Sequence, residues 1–290
     1  MKIQYKSLKL QKKTLKLIDQ ANEIIEEYDE QGFILTVRQV YYQFVARNLI
    51  PNDLVSYGYV GAALNKGRMA GLVDWNLIED RTRNLEGNSH WDSPSEILLS
   101  AAKSYQLDSR EDQKYRIQVW IEKEALIGMI EPVCKELDID YFACRGFVSL
   151  SELWRAAQRL EDKKCIILHL GDHDPSGLDM TRVNQETLEL FGCDNLEVRR
   201  IALNMDQIEE FKPPPNPVKF ADSRAPEYVI KYGSESWELD ALVPEVLEKL
   251  IRTNVDALTD QKKRRAILNR QQEEKNQLEH VADNWEELEF

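Results

Sequence analysis

The chain has no apolar run approaching the ~20 residues that span a bilayer, and its N-terminus lacks the hydrophobic region of a signal peptide. A cytoplasmic protein with no membrane partner is the expectation. Cysteine is scarce: Cys134, Cys144, Cys165 and Cys193 are the only four, and none has Cys-x-x-Cys spacing. That favours reduced, buried thiols over zinc ligands or disulfides. No internal repeat and no low-complexity tract is present. Basic charge is also short, with 38 Lys and Arg against 51 Asp and Glu and a formal charge of -13, which argues against indiscriminate binding to nucleic acid. The shortfall is local: residues 1–110 hold 14 basic and 14 acidic side chains, so the whole deficit lies downstream. A nucleic-acid function then requires a focused basic groove, metal to neutralise part of the acid, weak binding at physiological salt, or a partner that brings positive charge.

What is present is enough for two domains, since 290 residues with 42% hydrophobic side chains supply two cores. The most informative stretch is Leu168-His169-Leu170-Gly171-Asp172-His173-Asp174-Pro175-Ser176-Gly177. Cys165 to Leu170 reads as an interior strand of a parallel sheet. Gly171 permits a sharp turn, Pro175 suits the first turn of a helix, and Leu178 to Leu190 continues that helix. Asp172 and Asp174 thus project from the carboxyl end of a strand, where ligands of open α/β sheets collect. An acidic loop capping the helix is the alternative. Tyr115 to Ile121 alternates as a second strand and leads into Glu122-Lys123-Glu124 and a helix to about Leu137. With strands at Asp140 to Arg145 and Leu196 to Leu203 and a helix at Leu150 to Leu160, the order is β-α-β-α-β-α-β, a parallel sheet. The strands ending at Glu122 and Asp172 can be neighbours. Glu122, Asp172 and Asp174, with Glu124 as a further candidate, then suit Mg²⁺, or Mn²⁺, as hard oxygen ligands. Carboxylates this close raise each other's pKa unless a cation joins them.

Upstream, Thr36 and Gln39 have capping-box spacing. A helix from Val37 places Val37, Val40, Tyr41, Phe44 and Val45 on its core-facing side, so Tyr41 is expected inside. Tyr42 leaves that stripe and lies on the side of Arg38, one turn earlier. A guanidinium there favours phenolate or holds a phosphate; an ordinary surface tyrosine stacked on an arginine is the alternative. Helices at Leu8 to Tyr28 and Val55 to Ala70, and a strand at Leu72 to Glu79, are expected around it; the resemblance given next would make these a small winged DNA-binding domain. Arg47, Lys66, Arg68, Arg81 and Arg83 are then its candidate phosphate contacts, the alternative for each being a solvated surface charge.

The Glu at one strand end and Asp172-His173-Asp174-Pro175-Ser176-Gly177 at another resemble the Toprim domain of topoisomerases, DnaG-type primases and some nucleases. Val119-Trp120-Ile121-Glu122-Lys123-Glu124-Ala125 and Arg38-Gln39-Val40-Tyr41-Tyr42 are similar to two signatures of the topoisomerase VI A subunit and its meiotic double-strand-break relatives. The resemblance implies an α/β chain with an N-terminal winged-helix (CAP-like) domain at about 1–95, a linker at 96–113, and a Rossmann-like Toprim domain at 114–259. A helical C-terminal arm at 260–290 follows. It implies Tyr42 as nucleophile toward double-stranded DNA, forming a 5′-phosphotyrosyl link, with Arg38 positioning the phosphate and Glu122, Asp172 and Asp174 holding Mg²⁺. It also implies a homodimer in which the tyrosine of one subunit works beside the metal site of the other. This chain contains no GHKL-type ATP-binding module, so strand passage would need a separate B-like ATPase subunit. Gln39 stands where many relatives carry an acidic residue.

The alternatives are a Toprim nuclease that hydrolyses DNA, in a mobile-element or plasmid- and phage-defence setting, and a non-catalytic DNA-binding scaffold. His169 is expected to pack against a helix and His173 to have no catalytic role. Pro213-Pro214-Pro215-Asn216-Pro217 reads as a stiff extended crossing of the sheet. Glu238 and Asp240 either add to the acidic site or serve as a helix cap or subunit contact. The basic cluster Lys262 to Arg265 opens an exposed arm.

Overall fold

Thr36 accepts a hydrogen bond from the backbone N–H of Gln39 while the Gln39 side chain accepts from the Thr36 N–H, the reciprocal cap that starts a helix at Val37. In the computed structural model, which describes residues 1–79, 88–160 and 164–285, this helix α2 (Val37–Ala46) packs with α1 (Lys12–Glu30) and α3 (Leu54–Met69). Leu17, Ile18, Ile24, Val40, Phe44 and Leu64 fill the space between them. The first helix begins at Lys12 and not at Leu8, because Tyr5 and Lys6 donate their backbone N–H groups to Met69 O at 3.0 and 2.8 Å. The expected wing strand at Leu72 to Glu79 is not a strand. Asp74 accepts from the N–H of Asn76 in a local turn, Arg68 takes the carbonyl of Ile78, and a single bridge, Leu35 to Ile78, remains.

Helix α4 (Pro94–Ser104) overlaps the stretch 96–113 expected to be a linker, and is started by Ser93, whose hydroxyl accepts from the N–H of Glu96. Beyond it the β-branched and leucine-rich runs form four parallel strands: β1 (Tyr115–Ile121), β2 (Asp140–Ala143), β3 (Lys164–Leu170) and β4 (Leu196–Ala202), ordered β2-β1-β3-β4. Helices α5 (Ile127–Leu137), α6 (Leu150–Arg159) and α7 (Pro175–Leu190) connect them in turn. Strand alternation decides the layers. Ile117, Val119, Ile121, Ile166 and Leu168 share a core with α5 and with α10 (Pro244–Asp256), while Trp120, Cys165 and Ile167 share one with α6 and Leu188 of α7. Parallel sheets need both faces covered, and this mixed α/β architecture supplies that with helices. All four cysteines are buried in these cores, none of them in a disulfide.

The first of these cores continues without a break into α1, α2 and α3, through Leu239, Ala241 and Leu242. After α8 (Met205–Phe211), the proline-rich segment pairs with the chain as β5 (Asn216–Pro217), antiparallel to β6 (Glu235–Ser236), with α9 (Ala225–Tyr232) between them. The C-terminal arm is α11 (Gln261–Asp283), and it lies antiparallel on α4: Ser95 bonds the Ala282 carbonyl at 2.8 Å and Leu107 N donates to Gln271 Oε1 at 2.8 Å. Its outer side stays in solvent. Among the described residues no helix is long and apolar enough to cross a membrane.

A buried acid cluster beside Tyr42

The β1–β3 register sets Ile121 opposite Leu170, so Glu122 and Gly171-Asp172 leave the sheet side by side. The connection from β1 departs to β2 on one side and that from β3 to β4 on the other, which makes this the crevice of the sheet. Glu122 N donates to Leu170 O at 2.8 Å, and Glu122 Oε2 accepts from the N–H of Asp172 at 2.9 Å. Burial, with the charge of Asp174 adding, pushes the Glu122 carboxyl above its ordinary value. Glu122 is thereby committed to holding the Asp172 backbone.

Asp174 caps α7. Its Oδ1 accepts from Gly177 N at 2.6 Å and Ser176 Oγ at 2.9 Å. Gly177 has to be glycine, since a Cβ there would overlap the Asp172 carbonyl oxygen. The loop is riveted from below by Arg200 of β4, which donates to the carbonyls of Asp172, Gly171 and Gly177 at 2.6, 2.9 and 2.9 Å. Burial lowers its pKa to about 10, and it remains a cation at neutral pH.

The Asp172 side chain also meets residues far downstream in the chain, Glu238 to Asp240. His173 N donates to Trp237 O at 2.8 Å and Trp237 N to His173 O at 3.0 Å, and this bridge delivers Glu238, Leu239 and Asp240 to the crevice. Leu239 N donates to Asp172 Oδ1 at 2.7 Å. Carboxylate oxygens of Asp172, Glu238 and Asp240 then lie within 4.8 Å of one another, an acidic triad able to hold a metal ion. Between them sits the Lys123 ammonium, 3.0 Å from Asp172, 2.9 Å from Asp240 and bonded to Glu238 as well. Lys123 is held charged far above its ordinary range despite burial, because three carboxylates share it. Asp172 receives only part of that cation and faces Glu122 and Glu238, so burial still pushes its carboxyl up to about 7.

On the outer side of the triad Arg38 donates to Asp240 Oδ2 at 2.8 Å and Glu238 Oε2 at 3.0 Å. The same guanidinium reaches the Tyr42 hydroxyl at 3.4 Å and lies 5.6 Å from its ring centroid. The expected Arg38–Tyr42 pairing is therefore present, but its setting differs from expectation. Tyr42 is 5% exposed, because the Leu239–Ala241 turn packs on α2. Its hydroxyl pKa is raised, first by burial and then by Asp240 and Glu238, which together outweigh Arg38 and Lys123. The phenol is held protonated.

The remaining expected residues are dispersed. Glu124 is ion-paired with Arg145 at the surface, outside the triad. Arg47 pairs with Glu27 at 2.7 Å, and Lys66 is exposed on the last turn of α3. Arg68 is turned inward, bonded to the Ile78 carbonyl and set over Trp75, which removes it from a phosphate-facing surface. Arg81 and Arg83 lie outside the described residues. His169 is buried against Thr181 of α7, 2.8 Å away. His173 bonds Tyr228 at 2.8 Å, and burial lowers its pKa to about 4, leaving it neutral. Sequence reasoning assigned no role to Lys123 or Arg200; the only signal for Glu238 and Asp240 was the alternation of acid and apolar residues around Leu239. No protein-family model and no curated protein matches the chain.

Proposed function

We propose that this chain is a metal-dependent DNA-cleaving transesterase of the topoisomerase VI A kind, in which α1 to α3 act as the winged-helix-type DNA-binding part and the four-stranded sheet as a Toprim domain. The observation that carries this reading is one unbroken polar array from the Tyr42 hydroxyl through Arg38 to the Asp172, Glu238 and Asp240 carboxylates. A phenol, a guanidinium suited to phosphate and a set of hard oxygen ligands lying together support this reading.

In this scheme Tyr42 Oη loses its proton to solvent and bonds to phosphorus. The bond from phosphorus to the 3′ oxygen breaks, that oxygen takes a proton, and the 5′ end remains on the tyrosine. Arg38 holds a non-bridging phosphate oxygen in its fork. The carboxylate oxygens suit Mg²⁺ or Mn²⁺, and a divalent ion held by Asp172, Glu238 and Asp240 would neutralise charge growing on the phosphate and the departing oxygen. Glu122 and Arg200 keep the Asp172 backbone in place. A homodimer would present two such arrays, one to each strand of the duplex, and a separate ATPase subunit would be needed for strand passage.

The enclosure of Tyr42 favours a second reading, hydrolysis of DNA by metal-activated water with Tyr42 as a packing residue. Supercoiled plasmid incubated with the protein and Mg²⁺ or Mn²⁺, then denatured, separates the two. DNA ends attached to Tyr42 and lost in Tyr42→Phe support transesterification, free ends that persist in Tyr42→Phe support hydrolysis, and intact DNA at every metal concentration rejects both.

A further inference from the structure

The triad is filled by a side chain of the protein itself, and that side chain belongs to the same array that closes over Tyr42. Lys123 carries its ammonium to the point where Asp172, Glu238 and Asp240 converge. Arg38 reaches the same two downstream acids from α2. A second set of polar contacts joins these parts: Tyr41 donates to Asn52 at 2.8 Å, Asn52 to Asn216 at 2.6 Å, and Asn216 approaches Glu238 at 3.5 Å. The phenol is shut in by contacts whose acidic members are the candidate metal ligands.

We infer that the Arg38 and Lys123 contacts with Asp172, Glu238 and Asp240 form a cation-exchange latch, which holds Tyr42 enclosed until a divalent cation takes the carboxylates. The inference rests on the metal-binding part of the proposed function and adds its regulation. Two monovalent side-chain cations balance most of three carboxylates, so a divalent ion bonding to those oxygens competes with both ammonium and guanidinium. Once Asp240 and Glu238 are engaged elsewhere, the ionic contacts of Arg38 that tie α2 to the Leu239–Ala241 turn are gone. Arg38 and Tyr42 are then free together, the guanidinium for a phosphate and the phenol for attack. Before exchange the nucleophile is protected from solvent, which keeps cleavage off until metal is bound.

The test follows Tyr42 directly and needs no DNA. The full chain, stripped of metal with EDTA, is treated with N-acetylimidazole, and acetylation of Tyr42 is read by peptide mass spectrometry with and without Mn²⁺. Tyr42 is expected to be protected without metal and to react at least about tenfold faster with saturating Mn²⁺; Arg38→Gln is expected to react fast without Mn²⁺. Mn²⁺ binding, counted by electron paramagnetic resonance, is expected to tighten by about tenfold in Lys123→Met, because the competing ammonium is gone. If Mn²⁺ binds the unaltered protein while Tyr42 stays as protected as before, the latch is refuted, whether or not either variant folds. Cleavage assayed in parallel separates the two ideas: metal-driven exposure without attached DNA keeps the latch and rejects the transesterase, and attached DNA without metal-driven exposure does the reverse.

Discussion

Replacing Lys123 with Met strips the central cation from the acid cluster while nearly conserving the volume of its stem. Its ammonium bonds Asp172, Glu238 and Asp240 at once, and its side chain is 17% exposed. Removing one member of a buried charge set costs about 3–5 kcal/mol, because the partners are left uncompensated. Arg38 remains on Asp240 and Glu238, so a loss near about 3 kcal/mol at neutral pH is expected. The pH dependence gives the sharper check. Burial raises the Asp172 carboxyl from 3.8 to about 7, so the folded chain holds a proton there that the unfolded chain releases. Stability from that group is present at low pH and is lost as pH rises from about 4 through about 7. Without Lys123 the carboxyl rises further, so the deficit of the variant relative to the unaltered protein should shrink by about 1–2 kcal/mol between about pH 8 and pH 5. Urea unfolding of both proteins in EDTA at the two pH values measures it, and Mn²⁺ should restore the variant further. A deficit below about 1 kcal/mol at the higher pH, or one that grows on acidification, would refute the reasoning.

Asp240→Asn should lower Mn²⁺ affinity by about 10- to 100-fold, whereas Asp174→Asn, which keeps the α7 cap, should leave it unchanged; isothermal titration separates the observed triad from the ligand set expected from sequence. Gly177→Ala should destabilise the chain by about 1–3 kcal/mol or more, read as a lower unfolding midpoint, since its methyl overlaps the Asp172 carbonyl oxygen. Arg68→Ala should cost about 1–2 kcal/mol through the lost bond to Ile78 and its stacking on Trp75, with DNA affinity in a fluorescence anisotropy titration unchanged. Tyr42→Phe should alter stability by less than about 1 kcal/mol, because the hydroxyl contributes only a 3.4 Å contact with Arg38, and chemical unfolding shows whether it does.

Local chemistry made most elements legible. The capping box at Thr36 and Gln39, the alternation of Ile117, Val119 and Ile121, and the apolar run before Gly171 each act within a few residues, and α2, β1 and β3 appear where those patterns place them. The order of elements allowed β1 and β3 to be neighbours, and the sheet makes them so. The wing at Leu72 to Glu79 failed because the Asp74 and Arg68 side chains satisfy the Asn76 N–H and the Ile78 carbonyl in place of a ladder. The helix at Pro94 was missed although Ser93-Pro94 is a helix start, since the element that packs on it, α11, is far away in the chain.

The sequence by itself thus determined that carboxylates stand at the ends of two strands and that Tyr42 accompanies Arg38, because helical period and strand alternation are properties of a dozen residues. Which carboxylates converge was decided by the tertiary structure. Asp174 is drawn to the α7 N-terminus and Glu122 to the Asp172 backbone, the nearest orphan donors. The His173–Trp237 bridge, between residues 64 positions apart in the numbering, brings in Glu238 and Asp240 instead. Lys123 reaches their centre, and α2 closes over them, since buried charges are stable only where opposite charge is delivered to the same place.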